Sequence, residues 1–362
     1  MKMAFTPASA VAAETPSYRS LPFRSYVSHR YYVGLWRAAW RLFTWKRAWQ
    51  GFFTYLSYHL ARRGLSWKVP SYPLYLGIEP TTACQLRCPH CISGLKAFTR
   101  PTGRLDPTLL EKILQELHTH LWGVLFYFQG EPLLHPRIGH LIQLASRYQL
   151  FTSLSTNGLL LSEEKIYELI MAGLTHIRIS IDGMSEESYA HYRRGGELSV
   201  VLEGVERLLR VRKTMRSIYP LVELQMIVFR HNVSEVPAFL EWARRVGVEA
   251  ARLKTAQVLT PDSETIAEWI PPEASRYQQP PTALPDACWR LWRSAEITWD
   301  GQILPCCFDK QAEYTFGKLD EKTSFAQLWH SQQAETFRKK VFTNRQAIDI
   351  CKNCSEGVRV WL

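Results

Sequence analysis

Three cysteines within eight residues, Cys84-x3-Cys88-x2-Cys91, come directly after the apolar run that starts at Leu74, and no other feature constrains the chain as tightly. Thiols this close on one loop point to a metal. They can ligate three irons of a cubane cluster and leave the fourth iron without a protein ligand, whereas clusters that only carry electrons normally take four cysteines. The open iron is then a place where a small molecule can chelate. Zinc is the alternative, since it prefers four protein ligands and His90, inside the triplet, could supply the fourth.

The remaining cysteines fall into two groups, Cys288, Cys306 and Cys307, then Cys351 and Cys354. Grouping of this kind in a chain of 362 residues suggests metal ligation in a reducing compartment, because disulfide scaffolds are usually much shorter. The net charge of +11 invites a nucleic-acid reading, but its distribution argues otherwise. Residues 1–78 hold eleven Lys or Arg and one acid, Glu14, while the rest carries 33 basic and 32 acidic residues. The body is therefore balanced, with no basic stripe, and no nucleic-acid partner is expected.

Residues 1–30 read as a flexible arm. Its stretch Ala8 to Ala13 only faintly imitates a signal-peptidase site, because Thr6, Pro7 and Ser9 interrupt the apolar core that export requires. A cytoplasmic chain is expected. From 31 to 63, Leu35, Ala38, Leu42, Trp45, Trp49, Phe52 and Leu56 recur at three and four, one face of a helix, with Trp36, Trp40 and Phe43 as a second strip. Six Lys or Arg interrupt the run too often for a spanning helix. Aromatics interleaved with basic residues and no acid predict an amphipathic N-terminal segment, residues 1–70 in all, lying on an anionic membrane surface at the inner face. It would bring the mouth of the following domain close to lipid. The competing expectation is a helix or helix pair packed on the body with a wet basic edge.

From Leu74 the pattern alternates short apolar strands with helices, which predicts a parallel sheet. The strands are 74–79, 124–129, 151–157, 176–182, 222–229 and 250–255, with helices such as 107–118, 162–172, 200–213 and 236–246. Six units fit a partial (β/α)6 TIM-like barrel over residues 71–260, an α/β fold. In the fourth strand His176, Arg178, Ser180 and Asp182 share one phase and Ile177, Ile179 and Ile181 the other, so the polar set faces the cavity. Glu223 and Gln225, then Arg252 and Lys254, follow the same rule. A Pro-rich linker is expected at 261–285 and a small domain at 286–362, opening with a hairpin turned at Asp300-Gly301.

The cysteine triplet after the first strand resembles the signature of the radical S-adenosylmethionine (radical SAM) superfamily, with His90 in place of the usual aromatic residue. Three further stretches at strand ends carry the likeness, which covers roughly residues 74–260. Gln129-Gly130-Glu131-Pro132 resembles the glycine-glutamate motif that receives the methionine amino group, with Gln129 for the commoner first glycine. Ser155-Thr156-Asn157-Gly158 resembles the polar turn that contacts ribose and carboxylate. Ser180-Ile181-Asp182-Gly183, with Arg193 and Arg194 downstream, resembles the fourth-strand motif and the arginine that pairs with the carboxylate. Gly301-x4-Cys306 resembles the SPASM and Twitch extensions, and implies one auxiliary 4Fe-4S cluster on Cys288, Cys306, Cys351 and Cys354, with Cys307 spare or exchanging with Cys306. A zinc site on the same four is the alternative.

The resemblance implies that a 4Fe-4S cluster on Cys84, Cys88 and Cys91 binds S-adenosylmethionine, which is cleaved reductively to a 5'-deoxyadenosyl radical that takes a hydrogen atom from substrate. It also implies reduced flavodoxin or ferredoxin as electron donor. The substrate is unidentified, with a lipid-linked or membrane-surface molecule as the first expectation and a peptide as the alternative, although no segment looks like a leader-binding domain. A contrasting class is a non-enzymatic, zinc-stabilised, membrane-associated binding protein.

Overall fold

The computed structural model describes residues 24–272, 275, 277, 285–352 and 354, so the expectations for the arm before residue 24 and for Pro280-Pro281 lie outside the described residues. Ten strands form one sheet: β1 (Tyr26–Val27), β2 (Tyr75–Ile78), β3 (Gly123–Phe126), β4 (Phe151–Thr156), β5 (His176–Ser180), β6 (Leu221–Val228), β7 (Ala250–Thr255), β8 (Ser294–Ile297), β9 (Gln302–Leu304) and β10 (Gly317–Lys318), in the order β1-β7-β6-β5-β4-β3-β2-β8-β9-β10. Strands β2 to β7 are parallel and adjacent, the partial barrel anticipated from the sequence. The main helices are α1 (His29–Leu42), α2 (Trp45–Arg62), α3 (Ile92–Leu95), α4 (Pro107–Leu117), α5 (Ile138–Arg147), α6 (Glu163–Met171), α7 (Glu186–Tyr192), α8 (Leu198–Thr214) and α9 (Val236–Val246).

Local chemistry sets these boundaries. The Asp106 side chain accepts the Thr108 N–H at 2.9 Å and Pro107 opens α4, so an orphan donor is satisfied where φ is already suitable. Leu110, Ile113, Leu114 and Leu117 then bury one stripe of that helix, each contributing about 1.5–3 kcal/mol. In β5 Ile177 and Ile179 are fully buried against helices while His176, Arg178 and Ser180 take the other phase, as period two requires.

The C-terminal region is continuous with the barrel. β8 pairs in parallel with β2, and Glu296↔Leu304 and Ile297↔Ile303 close the hairpin with β9. Arg100 strengthens this junction: buried itself, it pairs with the buried Glu79 at the end of β2 and donates to the Lys310 carbonyl at 2.9 Å. Sequence periodicity found the hairpin but not its partner, because nothing local in β2 records which strand lies beside it.

The N-terminal segment follows the competing expectation of a helix pair packed on the body, and departs from the single amphipathic helix in three respects. It forms two helices broken at Phe43-Thr44, where the Thr44 hydroxyl accepts the Arg47 N–H. The expected single apolar face is also divided: Ala38 and Leu42 are buried, but Trp45, Trp49, Phe52 and Leu56 are exposed. What α2 buries is Arg47, Gln50, Thr54, Ser57, Tyr58 and Ala61, a largely polar set. Finally, the pair lies across the N-terminal ends of the barrel strands. Tyr31 donates to Glu223 at 2.7 Å, Thr54 to Ser71 at 2.9 Å, and Arg47 to the carbonyls of Leu42, His118, Tyr148 and Gln149. The helices therefore floor the barrel, which overturns the expectation that they bring its mouth to lipid.

Candidate functional site

The three thiols stand on the loop after β2, at the C-terminal ends of the strands, where functional groups of such barrels gather. Cys88 is buried while Cys84 and Cys91 are half-buried. Burial pushes the Cys84 thiol up to about 12, helped by Glu131 and by the other two thiols, so metal has to displace protons to bind. Behind the loop Tyr192, Phe229 and Trp269 pack with Leu86 and Cys88 into a dry apolar shell. Such a shell controls solvent access and redox behaviour of a metal site. His90 is turned edge-on to Trp269, with ring centroids 4.6 Å apart.

The neighbouring loop is built to pass beneath this one. Gly130 has φ +74, and a Cβ there would stand 2.1 Å from the Thr81 carbonyl oxygen. Glu131 N–H donates to the Ala83 carbonyl at 2.7 Å. Gln129 has a role that its departure from the familiar pattern concealed: its amide oxygen accepts from Ser93 at 3.2 Å, and Ser93 in turn accepts the Gly130 N–H at 2.8 Å. Pro132 opens the short turn 132–134. The buried Glu131 carboxylate accepts from Leu133 N–H, Thr156 hydroxyl and Asn157 N–H at 3.0, 2.7 and 2.8 Å, which fixes the end of β4.

The donor set suits the small molecule the sequence resemblance implies. Asn157 accepts from Gln85, the neighbour of Cys84, at 3.2 Å, while its own Nδ2 is buried with no hydrogen-bond partner. A buried orphan donor beside the thiol loop calls for an acceptor from a ligand. Ser155 and Ser180 stand on the lumen phase of β4 and β5, with Ser155 opposite Arg178. Asp182 is buried, pairs with Arg193 at 2.7 Å and accepts the Ile227 N–H at 2.6 Å. Burial alone would lower the Arg193 pKa, but Asp182 and then Cys88 raise it well above the usual arginine range. Arg193 is thus a fixed cation beside the cysteine loop, whereas Arg194 is exposed and contributes its carbonyl to Arg87 N–H at 2.8 Å.

At the lumen floor Glu223 meets Arg178 at 2.6 Å, and His176 and Arg252 each at 3.6 Å. Burial would raise this carboxyl, yet the His176 hydrogen bond and the Arg178 charge hold it well below the usual carboxylate range. The polar phase read from the sequence is therefore partly consumed by ion pairs.

Several lumen residues escaped the sequence reading. Tyr127, just beyond β3, is 46% exposed, and the protein around it, with the Cys307 and Cys91 thiols, raises its phenol to about 12. Glu296 on β8 is buried, and desolvation pushes it up to about 8 against the opposing charge of Arg290. Its oxygen lies 1.5 Å from where a Cβ of Gly77 would stand, so only glycine fits opposite it. A glycine in mid-strand was the available signal.

The second thiol group is more enclosed. Cys288, Cys306, Cys351 and Cys354 are each 8–9% exposed. Burial, then the surrounding thiols, carries Cys306 well above the usual thiol range. Cys307 is half-buried and takes a contact from Arg290 Nη1 at 3.2 Å. Arg345, fully buried, donates to the carbonyls of Ala287, Cys351 and Cys354, and so ties the Cys288 segment to that of Cys351 and Cys354.

Comparison with known proteins agrees with this geometry. Residues 78–243 match the radical SAM superfamily and residues 288–355 match SPASM, an iron-sulfur cluster-binding domain. PqqA peptide cyclase of Gluconobacter oxydans (strain 621H) is 30% identical over 325 residues, covering 81% of this chain and 86% of the relative. The tungsten-containing aldehyde ferredoxin oxidoreductase cofactor-modifying protein of Pyrococcus furiosus is 24% identical over 318 residues, covering 78% and 87%. Streptococcus suis SuiB bound to S-adenosylmethionine shares the fold, with a TM-score of 0.58 at 14% identity over 78% of this chain and 72% of that one.

The chain belongs to the radical SAM superfamily. Within it, the second match makes this a radical SAM enzyme with a SPASM domain, binding a 4Fe-4S cluster and S-adenosylmethionine in the barrel and auxiliary iron-sulfur in the C-terminal region. A zinc-stabilised binding protein is thereby set aside. When bound, the barrel cluster and S-adenosylmethionine supply the radical chemistry, for which an electron source and a substrate are required.

Proposed function

We propose that this enzyme modifies a peptide or protein substrate, with Cys84, Cys88 and Cys91 holding the barrel cluster and with Asn157, Ser155, Ser180 and the Gly130-Glu131-Pro132 loop holding S-adenosylmethionine. The observation that carries the reading is the 30% identity to a peptide cyclase across 81% of this chain. A polar lumen is compatible with it: Arg178, Gln225, Arg252 and Lys254 share the polar phase on adjacent strands, with Arg178 and Arg252 held by Glu223. This reading displaces the lipid-linked substrate that was the first expectation. Reduced ferredoxin or flavodoxin is the donor we assign, in a reducing cytoplasm that suits eight cysteines with no disulfide.

The test is anaerobic. Reconstituted enzyme, reductant and S-adenosylmethionine are incubated with peptide fractions or lipid fractions of the source cells, and 5'-deoxyadenosine is measured beside the masses of the peptides. Peptide-dependent stimulation with a matching mass change supports the proposal. Stimulation by lipid fractions alone would return the first expectation.

A further inference from the structure

We propose that the outward face of α1 and α2 docks on an anionic lipid bilayer, floor-down, so that the barrel mouth opens to the aqueous side. This stands apart from the peptide reading and does not depend on it.

The first observation is that the helix pair is built inside out. α2 buries Arg47, Gln50, Thr54 and Ser57 against the barrel while Trp45, Trp49, Phe52 and Phe53 face solvent. Trp36 and Trp40 extend the face on α1, and Trp40 and Trp45 are each 74% exposed. These rings are not scattered. Trp36 stacks on Trp40 at 6.0 Å, Trp49 meets Phe52 at 5.9 Å, and Phe52 meets Phe53 at 5.7 Å. Single exposed apolar side chains are ordinary, but three clusters of exposed rings along one helix pair, Trp36 with Trp40, Phe43 with Trp45, and Trp49 with Phe52 and Phe53, mark an interaction surface.

Charge chooses the occupant. No Asp or Glu occurs between Glu14 and Glu79, and the exposed Arg37, Arg41, Lys46, Arg62 and Arg63 belong to these helices or their immediate end. Indole rings amid basic side chains match the headgroup layer of an anionic leaflet, where an amphipathic ring has one apolar and one wet end. Among the described residues no helix is long and apolar enough to cross a membrane, so the contact is peripheral. Single-stranded nucleic acid is the less favoured occupant, because it is held in a groove that tracks its backbone, and these rings project from the outer surface of two helices.

The anchoring contacts set the orientation. Tyr31 reaches Glu223 near the start of β6, and Arg47 reaches carbonyls ahead of β3 and β4. The bilayer face is therefore at the strand N-termini and the cysteine loop at the opposite ends. With β6 at eight residues, the mouth stands roughly 25 Å farther from the lipid than the floor. A substrate then reaches the thiol loop from water even while the enzyme is bound.

Full-length reconstituted protein is sedimented with phosphatidylcholine vesicles with and without phosphatidylglycerol, at low and high salt. We expect binding that requires phosphatidylglycerol and falls with salt. Trp36→Ser, Trp40→Ser, Trp45→Ser and Trp49→Ser together should reduce it by about tenfold or more. Reductive cleavage of S-adenosylmethionine should stay unchanged in that variant, because none of the four reaches the lumen. Should it fail to fold, Lys46→Gln, Arg62→Gln and Arg63→Gln, all at exposed sites, should abolish the salt-sensitive part. Absence of vesicle binding by the parent, or equal binding by parent and variants, overturns the proposal. So does retention on single-stranded DNA, or a concentration-dependent dimer abolished by the Trp changes, when either occurs without vesicle binding.

Discussion

The two thiol sites differ in how much of the protein closes over them. In the C-terminal site four cysteines are 8–9% exposed and Arg345 ties the segment of Cys288 to that of Cys351 and Cys354. In the barrel site only Cys88 is buried, the other two thiols are half-buried, and the side-chain donor of Asn157 is buried without a partner. A fully ligated cluster suits electron transfer or structural support, while a site one ligand short leaves an iron to chelate a small molecule. On the proposed ligand sets, the same thiol chemistry would serve two tasks, set apart by burial and ligand number.

The change that should break this contrast most completely is Cys84→Ala, Cys88→Ala and Cys91→Ala together. We expect iron to fall from about eight to about four per chain and 5'-deoxyadenosine formation to vanish. Undiminished 5'-deoxyadenosine would mean that the open iron is elsewhere. Cys351→Ala with Cys354→Ala should also halve the iron, but slow substrate-independent cleavage should persist while substrate turnover is lost. Full turnover by that variant would show that the enclosed site has no part in electron flow.

Much of this contrast could be read before the fold was known, because both sites announce themselves through cysteine spacing and the barrel through period two. The alternation at Ile177, Arg178 and Ile179 sufficed to separate helix-facing from cavity-facing side chains. What stayed hidden was long-range. The β2–β8 pairing joins Gly77 to Glu296 across more than half the chain, and no local pattern encodes it. The floor was misread for a related reason: the strongest apolar periodicity in α2 marks its exposed side, while a single arginine, Arg47, with four carbonyl acceptors fixes the buried side. Hydrophobic periodicity gives the axis of an amphipathic helix, but not which face meets protein.

A smaller effect probes the strand that links the two sites. Glu296 is raised to about 8 by burial, so between the unfolded carboxyl value and pH 8 the folded chain keeps a proton that the unfolded chain releases. Stability therefore falls as pH rises through that window, by a few kcal/mol in total at about 1.36 kcal/mol per unit, and levels off above it. Glu296→Gln should remove the slope and leave the variant more stable than the parent at pH 8. Thermal unfolding of both from pH 5 to 9 is the measurement. Parallel pH profiles would mean that Glu296 is ionised in the fold.

The smallest expected effect sharpens the contrast within two adjacent residues. Cys306 stands among the other three enclosed thiols, whereas Cys307 is half-buried, in contact with Arg290 and close enough to Tyr127 to raise its phenol. If enclosure defines the auxiliary ligand set, Cys306→Ser should lose that cluster and Cys307→Ser should leave iron and sulfide near the parent values. The Tyr127 phenol offers an independent readout. Loss of the Cys307 thiol removes one of the neighbours that raise its pKa, so spectroscopic titration should show a lower value in Cys307→Ser. Iron loss on Cys307→Ser with retention on Cys306→Ser would exchange the two roles, and would mean that the more open thiol completes the second cluster.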